Sequence, residues 1–149
     1  MANSFLTIHD EIKSFLESDK LINSVSYGDV YEEVLQKKHK NYPIAHFIFT
    51  NVSIQDQLNT LTVDVMLMDL VDRSNTYDQT QAELHILNEM LTVAERLHKE
   101  LREGDLASQQ ILAGDMSAEA FRDDLDDGVA GYSLSFDIQF PNYITACNT

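Results

Sequence analysis

The chain has 149 residues, 25 acidic against 10 basic, and 44% of it is hydrophobic, for a formal net charge of −15. That length and apolar content suit one compact domain with its own core and exclude wholesale disorder. The charge argues against free nucleic acid or an anionic membrane surface as a partner, because both demand clustered Lys and Arg.

The first predicted element is a helix over residues 4–18, with Phe5, Ile8, Ile12, Phe15 and Leu16 on one stripe and Asn3 or Ser4 as its cap. Asp10, Glu11 and Lys13 interrupt these apolar residues and no basic segment precedes them, so the N-terminus does not read as a signal peptide. No apolar run approaches membrane-spanning length, and the expected setting is a cytoplasm-like compartment. Residues 21–27 predict a short strand with Val25 and Tyr27 on one face, and Gly28-Asp29 a turn. Residues 29–41 are ambiguous and end in Lys37, Lys38, His39 and Lys40, the one cationic cluster of the chain.

Residues 42–71 predict a hairpin. Its first strand covers 42–50, a polar connection covers 51–60, and the return strand covers 61–71. On that return strand Leu61, Val63, Val65, Leu67 and Val71 share one face, broken only by Asp69. Thr62, Asp64, Met66, Met68 and Leu70 share the other. A strand this apolar on both faces is expected to be central, or to hide its second face, with Met66 and Met68, against a neighbouring molecule.

Residues 79–103 predict one long helix. Leu84, Leu87, Leu91, Ala94, His98 and Leu101 recur at helical spacing, with Met90 and Leu97 widening the stripe. Asp78 and Gln81 fit a capping box, basic residues gather near the C-terminus, and Gly104 sits where a left-handed stop is needed. A short strand is expected over 116–121, with Phe121 turned inward, then a loop holding Asp123, Asp124, Asp126 and Asp127. Residues 132–140 alternate cleanly, Tyr132, Leu134, Phe136, Ile138 and Phe140 against Ser133, Ser135, Asp137 and Gln139, and residues 141–149 read as an irregular tail. The order predicts a single α+β domain: an antiparallel sheet of about four to five strands with one long and one shorter helix on one face.

Chemistry is sparse. His85 and Glu89 lie one helical turn apart but lack a companion His or Cys pair, so a surface pair is the simpler reading than a metal site. The aspartates of 123–127 lack the alternating spacing and closing Glu of an EF-hand loop. Asp64 and Asp69 point to opposite faces and cannot form a dyad by themselves. Cys147, the single cysteine, has no neighbouring His and excludes an intrachain disulfide. No phosphate loop or nucleophile elbow is present, so neither an enzyme nor a cofactor is expected.

Several blocks, taken in order, resemble a known family. They are Val25-Ser-Tyr-Gly-Asp29, Tyr42-Pro-Ile-Ala-His46, Leu67-Met-Asp-Leu-Val-Asp72, Leu87-Asn-Glu-Met-Leu-Thr-Val-Ala94, Arg102-Glu-Gly-Asp105, Glu119-Ala-Phe-Arg-Asp123, Val129-Ala-Gly-Tyr132 and Phe140-Pro-Asn142. Together they resemble a family of small uncharacterised structural proteins of tailed bacteriophages, and the order of elements is similar to tail-terminator and head–tail neck ring proteins. Tyr132 stands where that pattern commonly has Trp, and the loop after Asp72 is short. The resemblance implies a virion protein of the neck or tail, assembled in the host cytoplasm as a ring of roughly six or twelve copies. Its partners would be portal, neck or tail proteins, with DNA passing through the channel unbound and no membrane involved. Lys37, Lys38 and Lys40 against Asp123, Asp124, Asp126 and Asp127 would be the two halves of a head-to-tail contact, with Met66 and Met68 covered by a neighbour. The alternative from another class is an acidic phage-encoded DNA mimic that inhibits a host DNA-binding protein.

Overall fold

The computed structural model describes residues 4–28, 42–70, 79–103, 111–122 and 129–141. Two helices, α1 (Ser4–Ser18) and α2 (Gln79–Glu103), lie on one face of a five-stranded sheet. The strands are β1 (Ser24–Tyr27), β2 (Ile44–Ile54), β3 (Leu58–Leu70), β4 (Ile111–Arg122) and β5 (Val129–Pro141), in the spatial order β1-β2-β3-β5-β4. The class is α+β, with β3 central, as its two apolar faces require.

The sheet is mixed rather than wholly antiparallel. β2–β3, β3–β5 and β5–β4 are antiparallel, but β1 runs parallel to β2, pairing Ser24 with Ile44 and Tyr27 with Phe47. The reason lies in chain length: residues 28–43 separate the two strands, more than the dozen that a parallel crossover needs. Strand β4 also begins earlier than its composition predicts, because residues 111–113 pair with β5 across a break of register at Gly114. The hairpin connection is far shorter than the polar stretch 51–60 suggests. Pairing with β3 continues to Ile54, and β5 runs alongside as far as Leu58, so polar residues complete both ladders.

The core lies between the helices and one sheet face. Ile8, Ile12 and Leu16 of α1 meet Ala45 and Phe47 of β2, while Leu61, Val63, Val65 and Leu67 of β3 and Leu134, Phe136 and Ile138 of β5 complete the floor. Each of the larger side chains contributes about 1.5–3 kcal/mol by leaving water. On α2 Leu87, Met90, Ala94, Leu97 and Leu101 are buried as expected and Ile86 and Val93 join them, while Leu84 and Leu91 lie exposed at the rim. Ile86 and Val93 widen the buried stripe toward the side opposite Leu84 and Leu91. Asp78, Gly104 and the tail 142–149 lie outside the described residues.

Two close fits hold the sheet's buried end. A side chain at Gly131 would place its Cβ 1.8 Å from the Leu67 carbonyl oxygen, so no other residue fits there. His46, 1% exposed, bridges the parallel pair: Nδ1 lies 2.6 Å from Ser26 Oγ and Nε2 lies 2.6 Å from the Gly28 carbonyl. That carbonyl only accepts, so Nε2 donates to it, and Nδ1 and the Ser26 hydroxyl share the second hydrogen bond.

Candidate functional site

Of the contact residues expected from sequence, Lys37, Lys38, Lys40, Asp123, Asp124, Asp126 and Asp127 lie outside the described residues. Met66 and Met68 do share the sheet face turned away from the helices. Met68, however, is fully buried within its own chain, clustered with Ile44 and Val129, with Tyr42, Met66 and Phe121 packed alongside. A side chain with no accessible surface offers nothing to a neighbour, so only half-buried Met66 remains available on that face. Phe121 turns inward as expected, toward this smaller cluster rather than toward the helices.

The acidic pair that sequence placed on opposite faces, Asp64 and Asp69, is so placed: Asp64 pairs across from Ile48 and Ser135 on the outer face, and Asp69 looks toward α2. Burial raises the Asp69 carboxyl above its ordinary range, the Leu70 N–H bond opposes the shift, and the Glu89 carboxylate of α2 adds to it. Asp69 Oδ1 accepts the Leu70 N–H at 2.8 Å, and the charge beside it is another acid. Among the described residues no group of three or more His, Cys, Asp or Glu could hold a metal ion. No described helix is long and apolar enough to cross a membrane.

Between the helices lies an open groove of about 380 Å³ lined by Phe15, Arg96, Lys99, Glu100 and Glu103. Its centre is already committed. Arg96 donates to Asp19 Oδ1 at 2.8 Å, and the same oxygen accepts the Leu21 N–H at 3.0 Å, so the pair ties the end of α1 to α2. The groove is therefore a seam of the fold.

The surface that is built and uncommitted is the edge of the sheet. β1 reaches only as far as Phe47, so among the described residues no strand pairs with that side of β2 beyond it. Residues 50–58 are all exposed, and three of them are large and apolar: Val52 at 42%, Ile54 at 75% and Leu58 at 37%. At the sheet's other end, β4 pairs with β5 on one side and with no described strand on the other. Residues 114–116 of that edge are irregular, with Gly114 at φ 74°, its carbonyl bonded by Arg102, whose guanidinium also faces Asp115. Residues 117–120 beyond it form a regular, exposed run. Composition hides both edges, because an edge is defined by which strands are missing beside it. An uncharged run over 48–54 in so acidic a chain is the signal that sequence did carry.

Compared with known proteins, the chain matches no family model and no curated protein.

Proposed function

We propose that this protein is a structural subunit of a tailed-phage virion, acting through protein–protein contacts in a ring of the neck or tail, of the tail-terminator or head–tail connector kind. The observation that carries the reading is the pair of sheet edges that no described strand covers, one of them flanked by exposed Val52, Ile54 and Leu58. A surface of that kind serves association rather than chemistry. The ordered blocks that resemble phage structural proteins support it, and the net charge of −15 suits a subunit past which DNA slides without being held.

Quantitative mass spectrometry of purified virions, scaled to portal copies, tests the proposal. A fixed stoichiometry of roughly six or twelve is the expected result for a closed ring. Absence from the particle, with abundance in infected cells, overturns it. The charge favours one second reading, an acidic mimic of DNA. Competition in a gel-shift assay separates the two, since a mimic displaces DNA from a host DNA-binding enzyme and a ring subunit does not.

A further inference from the structure

We infer that the open side of β2 over residues 52–54 takes the open side of β4 over residues 118–120 from a second copy, so that one sheet continues from subunit to subunit. The inference rests on the ring reading and names its contact. Its first support is direction. β2 is antiparallel to β3, β3 to β5 and β5 to β4, so β4 runs opposite to β2 within one chain. Placing the next copy beside the first by a rotation that preserves strand direction therefore makes the new pair antiparallel, which is the more stable ladder. A contact between two different edges is heterologous, the kind that generates rings when the rotation closes.

The second support is the character of the edges. Natural sheets guard an exposed edge with Lys, Pro or an inward charge. Residues 51–54 are Asn, Val, Ser and Ile, and 117–120 are Ser, Ala, Glu and Ala, with no Lys or Pro in either and Glu119 as the one charge. Irregular backbone confines each open run. A bulge at Thr50 separates 51–54 from the buried half of β2, and the break at Gly114 separates 117–120 from the start of β4. Both runs are exposed along their whole length.

The third support is side-chain fit. Val52 pairs with Leu61, and Ala118 and Ala120 pair with Leu134 and Tyr132, so all lie on the helix-side face. Keeping the two faces continuous sets Val52 opposite Ala120 and Ile54 opposite Ala118, bulky against small, with Ser53 opposite Glu119 on the other face. Self-pairing of β2 would set Val52 and Ile54 against their own copies and leave β4 open. The pairing also carries a stagger. The rows of Val52 and Ala120 cross β3 at Leu61 and Leu67, six residues apart. That is about 20 Å along the strand. A closed ring absorbs it by tilting its strands to the axis, as barrels do.

The test is thiol cross-linking in the full chain with Cys147→Ser, which removes the one native cysteine. Val52→Cys combined with Ala120→Cys, treated with a short bis-maleimide, is expected to give a ladder of dimers, trimers and larger species on a denaturing gel, because every copy offers both edges. Each single variant is expected to stay monomeric. Ile54→Lys in the double-cysteine background is expected to abolish the ladder while leaving the thermal midpoint unchanged. Dimers from Val52→Cys alone would show isologous β2 pairing and overturn the inference, and so would a uniformly monomeric double variant. If that monomer result came with ring stoichiometry in virions, the edge contact would fall and the ring would stand. If the protein were also absent from virions, both would fall.

Discussion

The two halves of β2 are one strand with opposite fates. Ile44, Ala45, His46 and Phe47 are all buried, and residues 50–54 are all exposed, although both halves pair with β3. What differs is the other side. The first half has β1 in register beside it and α1 above it, with Phe47 against the His9 and Tyr27 rings at 5.3 and 5.1 Å. The second half has neither. The ladder alone is enough to set extended backbone, whereas stability comes from what covers the ladder, and the capacity to bind from what is left uncovered.

That contrast breaks most sharply at Gly131, in the row that joins Met68 to Phe121 at the covered end. Gly131→Ala drives a methyl into the Leu67 backbone and is expected to cost more than about 3 kcal/mol, read by urea denaturation or as loss of soluble expression. Next in size is a pair of substitutions on the same strand. Phe47→Ala empties a fully buried site and is expected to cost about 3–5 kcal/mol, whereas Ile54→Ala, at a residue 75% exposed, should stay within about 0.5 kcal/mol. Equal losses at the two positions would mean the outer half is covered within the monomer, and the comparison would collapse.

A smaller effect is expected at the seam between the helices. Arg96→Ala leaves the Asp19 carboxylate, 2% exposed, with one fewer donor. Because Arg96 itself is about half exposed and screened by solvent, the cost is expected to be about 1 kcal/mol in the same denaturation assay.

Asp69→Asn should have the smallest effect, and in the stabilising direction. A carboxyl whose folded pKa is raised favours the fold while protonated, and that contribution is lost as pH rises through the folded value. Above that value the wild-type carboxylate is buried beside Glu89 and unfavourable. The variant's thermal midpoint should therefore exceed wild type near neutral pH and converge with it below about pH 4, where the unfolded carboxyl also holds its proton. A midpoint difference that persisted in acid would point to packing rather than to charge.

Most of the architecture was legible in the chain itself. The stripe of Phe5, Ile8, Ile12 and Leu16 and the alternation through Tyr132, Leu134, Phe136 and Ile138 are local periodicities, and the helix and strand they predict are present. Four of the quoted sequence blocks meet in the sheet. Ser26 and Gly28 of one meet His46 of another, and Leu67 of a third leaves room only for Gly131 of a fourth. They are positions where strands lock together. Of the contact residues proposed from sequence, Met68 serves the protein's own second cluster.

The amino-acid sequence by itself determined the two helices, the doubly apolar strand, the α+β class and the acidic net charge, because each follows from spacing or charge along the chain. Only the tertiary structure decided that β1 joins the sheet in parallel, that α2 turns Leu84 and Leu91 to its rim, that Asp69 faces Glu89, and where the sheet ends in open edges. Those are facts about which distant segments lie side by side. A residue's pattern with its near neighbours specifies its own conformation, while the identity of the strand beside it, or its absence, is set only when the whole sheet is assembled.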